Sequence, residues 1–539
     1  MSAALLLPLA LAAPVALLLA CMSRDRRYAM ISWLWLAPLP ALAAALLAVD
    51  APALVIDADG LEFTLALDRP GALLLGGAAL LWSAAGLYAR AYLAGQPNLG
   101  AFAVYWLLTL LGSLWVFFAG DLASFYLAFA FASLAAYGLV IHDGTPGVRR
   151  AAGLYLTLAI LGEVLLLVAF AMLATITPGD TLAIREVTGT LATSPWRGLT
   201  LALLIAGFGL KAGLVPLHVW LPIAHPAAPM PASAVLSGAI VKAGIIGLIR
   251  FLPLDGVADW ATVVTALGFV TAFYGVALGI TQDNPKTVLA YSTVSQMGLT
   301  TAVLGMAIAA GDGPAVSAGA YYAMHHELAK GVAFLAVGMA AAGGGRPVLF
   351  VTGLVALGFA GLPFSGGAVA KLAIKPALGS GLTGTLGTVA SVGSALLVSH
   401  FLWRLAASAK PGAPTPPGMT LSWLALCAAS LALPWILFVA LGFGSLGEAL
   451  APSALWDGLW PVALGIVLYV ALRRSGVALP RPPEGDLVVL GAPLTAGLRA
   501  AAAWMERVDG RMRQWPAATL SLLALVLALA ALMASGMHP

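Results

Sequence analysis

Apolar residues run through this chain in stretches of about 20, separated by short polar links, and a run of that length spans a bilayer core as a helix. The pattern predicts an all-α polytopic membrane protein of about 14–16 transmembrane helices. Sixteen segments can be drawn, at 3–22, 28–49, 71–93, 100–119, 122–141, 151–175, 199–222, 231–251, 260–280, 286–309, 316–342, 348–378, 386–407, 418–441, 457–473 and 517–537. The segment 348–378 is too long for one straight span. The segment 122–141 follows its predecessor after a very short link. Ala3–Met22 reads as a span rather than a removable leader, because no positive residue precedes it while Arg24, Arg26 and Arg27 follow.

Two of these runs are interrupted. IAGFGLKAGLVPLHVWLP carries Lys211, Pro216, His218 and Pro222; FAGLPFSGGAVAKLAIKPAL carries Pro363, Ser365, Gly366 and Gly367, then Lys371 and Lys375. Proline removes a backbone donor and breaks a helix. Irregular backbone at membrane depth is tolerated where it is enclosed by protein or lines a wet cavity. Lys211 and His218 are seven apart, which on an unbroken helix is one face. Two interrupted segments, each with lysine, point to two five-helix repeats of inverted topology, at 100–251 and 260–407. Residues 1–99 supply N-terminal helices. Residues 408–539 supply C-terminal helices and a link, 474–516, whose stretch LTAGLRAAAAWMERVDGRM reads as an amphipathic helix on the cytoplasmic surface.

Composition supports this picture. The chain is 61% hydrophobic and only 9% charged, with a mean hydropathy of +1.00, where a soluble domain carries about 25% charged residues. The net charge of +4 comes without any concentrated basic run, which argues against a nucleic-acid partner. Positive charge gathers in cytoplasmic loops. Arg24/Arg26/Arg27, Arg90, Arg149/Arg150, Arg346, Arg404/Lys410 and Arg473/Arg474/Arg481 fall on one side of the span scheme. Asp50, Asp57, Asp59, Glu62, Asp68, Asp121, Asp180, Asp312 and Glu448 fall on the other, and Arg250 is an exception. The expected location is the inner (cytoplasmic) membrane.

Lysine and arginine are used differently. Of seven lysines, six lie between residues 211 and 375: Lys211, Lys242, Lys286, Lys330, Lys371 and Lys375. Arginine stays charged, whereas lysine can cycle between charged and neutral forms. A charge at the bilayer centre costs roughly 2.5–3.5 kcal/mol on the mildest scale, so a lysine series inside apolar helices fits a proton relay. Snorkelling and helix docking are the plain alternatives, and they stay open for Lys286 and Lys375 near span ends. The stretch YYAMHHELAKG adds His325, His326 and Glu327 beside Lys330. Tyr322, His326 and Lys330 share a helical face, and Glu327 can reach Lys330 at i, i+3.

At these residues the chain resembles the antiporter-like proton-channel subunits of respiratory complex I, Mrp-type cation/proton antiporters and energy-converting membrane hydrogenases. The matching stretches are GLKAGLVPLHVWLPIAHPAAPMPASAVLSGAIVKAGIIGLIRF (Gly209–Phe251), DNPKTVLAYSTVSQMG (Asp283–Gly298) and the more divergent MHHELAKGVAFLAVG (Met324–Gly338). The resemblance implies a hydrophilic axis at the membrane midplane, with Lys211, Lys242, Lys286, His326, Lys330 and Lys371 at matching positions and His400 as the nearest match for a terminal charged group. One departure stands out. The family places a glutamate in the helix before the first broken one, and the matching stretch here, YLAFAFASLAAY, has Ala130 there. Glu163, the nearby intramembrane acid, would substitute, or a neighbouring subunit would supply the charge.

The expected function is thus that of a proton-translocating membrane subunit working among other membrane subunits. Its relay would comprise Glu163, Lys211, Lys242, His326, Lys330 and Lys371, with His218, Lys286, Glu327 and His400 as further candidates. No catalytic centre, metal site or cofactor is expected: the sequence lacks a Walker A loop, a nucleotide fingerprint and a paired-cysteine motif. The alternative is a coupling scaffold, as in an inorganic-carbon uptake system, or a non-pumping subunit that docks a soluble cytoplasmic partner. Loss of the glutamate favours that alternative; the retained lysine series favours the relay.

Overall fold

The computed structural model describes residues 3–23, 29–58, 61–179, 181–410, 415–485 and 487. The expectations for Arg24, Arg26 and Arg27, Asp59, Asp180, the amphipathic stretch within 488–516 and the span 517–537 concern residues outside these. The protein is a multi-pass helical membrane protein, as the apolar periodicity predicts. Among the described residues, eleven helices are long and apolar enough to cross a bilayer.

The first repeat consists of Leu99–Trp115, Leu122–Val140, Pro146–Ile176, a broken helix and Met230–Phe251. The second consists of Ala258–Gly279, Pro285–Ala310, Gly313–Ala341, a broken helix and Leu382–Ser408. In each, the fourth helix is the interrupted one.

Both breaks account for their freed backbone groups. Arg197–Ala212 ends at Gly213, whose φ of +81° is left-handed, and Leu214 N–H turns back to the Gly209 carbonyl at 2.8 Å. Val215 N–H donates to Thr271 Oγ1 of the second repeat at 3.1 Å, and the Trp220 indole donates to the Leu210 carbonyl at 2.7 Å. The helix resumes as Trp220–Ala227. The second break follows Gly345–Ala356 and a 3-10 turn, Leu357–Ala360; Gly361 has φ +95°, and Leu362 N–H reaches the Leu357 carbonyl at 3.2 Å. Gly366–Leu378 then begins, with the Ser365 carbonyl taken by the Trp435 indole at 3.1 Å. The 348–378 segment is therefore two half-helices, which explains its excess length.

The segment 28–49 differs from expectation. It is a 3-10 turn, Ala29–Ser32, followed by turns and a nine-residue helix, Leu39–Leu47, because Pro38 and Pro40 interrupt the hydrogen-bond ladder. At about 1.5 Å per residue that helix is too short to span. The acidic connection after it is an antiparallel hairpin, Leu54–Ala58 with Leu61–Leu65, in which Asp57 pairs with Glu62. Its second strand is tied to the first repeat: Gly120 N–H donates to the Thr64 carbonyl at 2.8 Å, and Thr64 N–H to Asp121 at 2.6 Å.

Arg250, the exception in the charge pattern, is a clamp. Its guanidinium gathers the carbonyls of Val116 (3.1 Å), Phe117 (2.5 Å) and Ala119 (2.7 Å), the chain just after Leu99–Trp115, and pairs with Asp68 at 3.3 Å. Freed carbonyls at a helix C-terminus favour a cation. Position in the fold, not loop sidedness, explains it.

Candidate functional site

The helix Gly313–Ala341 is the centre of the site. From Ala318 to Ala340 every residue on it is buried, so it touches protein on all sides. That enclosure is why it can carry polar groups that a lipid-facing helix could not.

Lys242 joins the two repeats here. Its Nζ lies 2.7 Å from Nδ1 of His326 and 3.3 Å from the Ser237 carbonyl. One residue, Val241, separates Lys242 from a π-helical segment, Leu236–Ile240, which widens the helix just before the lysine. Lys330 lies one turn beyond His326. It donates to the Leu289 carbonyl at 2.9 Å, and its Nζ sits 4.7 Å from the centre of the Phe359 ring. Tyr322, one turn before His326, bonds Gln296 on Pro285–Ala310. The face predicted for Tyr322, His326 and Lys330 is thus the one turned to the polar side of that helix.

In the first repeat Lys211 is buried at the C-terminal end of its half-helix. Its Nζ is 3.4 Å from the Tyr155 hydroxyl and within about 6 Å of the rings of Phe129 (5.7 Å), Tyr155 (5.8 Å) and Trp220 (6.0 Å). Glu163 is buried on Pro146–Ile176, two turns from Tyr155, with Lys211 and Ser133 as the polar groups acting on it. Lys211 and Lys242 lie on helices in close backbone contact: a Cβ on Gly244 would come within 2.6 Å of the Ala212 nitrogen.

Beyond the centre, Gln296 donates to Ser394 at 2.9 Å. Ser391, one turn earlier on the same helix, accepts from the Lys371 ammonium. Lys371 lines a cavity of about 630 Å³, together with Ser391, Thr388, Lys375, Glu448 and Asp457. Lys375 and Asp457 form an exposed ion pair of 2.6 Å beside it.

Several candidates lie elsewhere than expected. His218 and Lys211 do not share a face, because the break at Gly213 turns the chain; the His218 ring packs against Tyr274 (5.0 Å) and Tyr291 (6.0 Å) of the second repeat. Glu327 does not reach back to Lys330. Its carboxylate lies against Gly77 of Arg69–Tyr92, on the side of Lys242. His400 sits away from the axis, with Nε2 2.8 Å from the Gln282 carbonyl, beside the Arg404–Asp283 ion pair. Lys286 donates to the carbonyls of Pro226 (3.3 Å) and Ala228 (2.5 Å), at the end of the first broken helix.

One buried histidine, His225, does not stand out in the sequence. His225 is buried in the second half of the first broken helix, 4.7 Å from the Phe334 ring, with Lys286 and Lys330 as its charged neighbours. Ser233 Oγ, from the next helix, donates to the His225 backbone carbonyl at 2.9 Å. His325 packs at the second break, where Cβ atoms on Gly358 and Gly366 would come within 3.4 and 3.1 Å of its ring. Neighbours on a helix point about 100° apart, so His325 turns away from the face that His326 shares with Lys330. Among the described residues no group of three or more His, Cys, Asp or Glu side chains is placed to hold a metal ion.

A family profile described as "NADH:quinone oxidoreductase/Mrp antiporter, TM" matches residues 119–397. An uncharacterized protein of Mycobacterium tuberculosis is 37% identical over 278 residues, 47% of this chain and 43% of that protein. Hydrogenase-4 component B of Escherichia coli is 32% identical over 301 residues, 51% of this chain and 43% of that protein. The chain thus spans less than half the length of both relatives. In fold it is similar to a chain in the structure of the Mrp complex from Dietzia sp. DQ12-45-1b, with a TM-score of 0.74 at 23% identity, covering 100% of this chain and 63% of that one.

Proposed function

The chain belongs to the NADH:quinone oxidoreductase/Mrp antiporter transmembrane family, and from that premise we propose that it is a proton-translocating membrane subunit of a multisubunit complex in the inner membrane. The observation that carries the reading is the 2.7 Å contact between Lys242 of one repeat and His326 of the other. It supports a continuous line of titratable groups: Glu163 and Lys211, then Lys242, then His326 and Lys330, then Lys371 at the cavity.

Each step uses groups of this chain. Glu163 stands in for the carboxylate absent at Ala130 and holds a proton against Lys211. Lys211 and Lys242 are carried by helices whose backbones touch at Gly244 and Ala212. Lys242 exchanges a proton with Nδ1 of His326. The hydroxyl and amide groups of Tyr322, Gln296, Ser394 and Ser391 lead from the centre to Lys371, and the cavity connects Lys371 with the Lys375–Asp457 pair. Aromatic rings around Lys211 and Lys330 offer a cation a partner without water, which keeps the line dry between its polar stations. The driving reaction and the ion exchanged, if any, belong to the other subunits.

The missing glutamate at position 130 favours a second reading, a coupling scaffold that no longer pumps. Both are separated by reconstituting the chain with its co-purified partners and following internal pH with a trapped dye. Lys211→Ala and Lys330→Ala are expected to abolish flux while assembly is retained. Parent-like flux in both variants sinks the relay; absence of flux in the parent supports the scaffold.

A further inference from the structure

We propose that Glu327 is a proton-binding group of the central cluster and the second docking point of the Lys242 ammonium, so that Lys242 alternates between His326 and Glu327. The inference rests on the proton-translocation reading and adds the part that switches.

The carboxylate has a place built for it. Glu327 is wholly buried, and its head lies directly over Gly77: a Cβ there would come within 2.6 Å of Oε2 and 3.3 Å of Cδ. A larger residue at position 77 would force the carboxylate to shift. Neither carboxylate oxygen has a hydrogen-bond partner among the described residues. A carboxylate buried in this way persists only if it is neutral or is paired with a cation.

Among the described residues, Lys242 is the cation placed to serve it. Lys242 is the charged group that acts on Glu327, whereas Lys330 is turned to Leu289 and Phe359. An ammonium has three donors, and Lys242 spends them on His326 and the Ser237 carbonyl, leaving one. The π-helical segment before Lys242 lies against the same residue, since a Cβ on Gly238 would come within 3.1 Å of the Glu327 carbonyl. His326 and Glu327 are consecutive, so their side chains diverge by about 100°; Lys242 touches the first and acts electrostatically on the second. The other titratable groups facing the cluster are His325 and Lys330 on the same helix and Lys371 from the second break.

The transfer balances within the chain. With the ammonium at Glu327, an N–H bond of Nζ breaks and an O–H bond forms, giving a neutral amine and a carboxylic acid. The amine then takes a proton from His326 when that ring is protonated, or recovers the first one from Glu327.

The test uses the full chain with its partners in proteoliposomes, read by dye-reported proton flux and by infrared difference spectra of the carboxylic C=O stretch during a pH titration. Glu327→Gln is expected to lower flux by about 100-fold, the scale of one positioned acid–base group, and to delete a carboxyl band present in the parent. Lys242→Met is expected to shift that band. Gly77→Ala, which keeps the acid but occupies its niche, is expected to shift the band and lower flux. Melting temperature identifies any variant that fails to fold, and the band titration then decides from the remaining two. Parent-like flux in Glu327→Gln, when Lys330→Ala has none, overturns the inference and leaves the relay standing. A parent without flux sinks the relay reading. A band that ignores both Glu327→Gln and Lys242→Met overturns the Glu327 assignment in either case.

Discussion

Replacing Arg250 by alanine would strip three backbone carbonyls and one carboxylate of a common donor. The acceptors are the carbonyls of Val116, Phe117 and Ala119 and Oδ1 of Asp68, and the arginine side chain is only 8% exposed. Each hydrogen bond from a charged donor contributes about 1.5–3 kcal/mol net, but four bonds to one fork do not add. Removing one member of a buried charged network costs about 3–5 kcal/mol, and about 4 kcal/mol is expected here. Lysine restores the charge without the planar fork, so Arg250→Lys should recover about half of that loss, the value of the one or two bonds it can remake. Asp68→Asn should cost below about 1 kcal/mol, because the acid is one-third exposed and solvent screens its share. The assay is thermal unfolding in detergent, followed by a fluorophore that reacts with thiols. Cys21 and Cys427 are both buried and report unfolding when they become reactive. A parent-like melting temperature in Arg250→Ala refutes the clamp, as does an Asp68→Asn variant that is equally damaged.

Three further outcomes follow from named contacts. Glu163→Gln should reduce proton flux about as far as Lys211→Ala does, and unchanged flux would end the idea that Glu163 replaces the acid missing at Ala130. Ser391→Ala removes the acceptor of Lys371 and should slow flux without altering the melting temperature by more than the loss of one bond, about 1 kcal/mol; Ser391→Thr should restore it. Trp220→Phe and Trp435→Phe each remove the indole donor from a carbonyl at a helix break that keeps a backbone N–H and should destabilise by about 0.5–1.5 kcal/mol in the same thiol assay.

The spans were legible because apolar length is a strong signal, and both breaks were legible because Pro216 and Pro363 fall inside apolar runs. The segment 28–49 was misjudged for the opposite reason: its mean composition is apolar, and Pro38 and Pro40 divide it locally. The hairpin at Leu54–Leu65 was passed over although Asp59-Gly60 is a hairpin signal in sequence, because the acidic residues drew it into a connection. At the site, spacing along one helix placed Tyr322, His326 and Lys330 together correctly. It failed for Lys211 and His218, where the break intervenes, and for Glu327, where the deciding partner comes from another helix. No periodicity within Gly313–Ala341 encodes that Gly77, on another helix, leaves room for the Glu327 carboxylate.

The indole ties at the two breaks also bear on time. Each interrupted helix is fastened by a tryptophan: Trp220 from the resumed half in the first, and Trp435 from a different helix in the second. Joints fastened in this way resist bending, so the movable parts near the axis are lysine tails and ring rotations. Side-chain rotations run on picosecond to nanosecond scales where they are free, whereas collective hinge motions take microseconds to milliseconds. A carrier built on fixed joints would have its pace set by how rarely a buried lysine is hydrated or protonated, and its rate would respond to the hydrogen isotope of the solvent more than to the viscosity of the membrane.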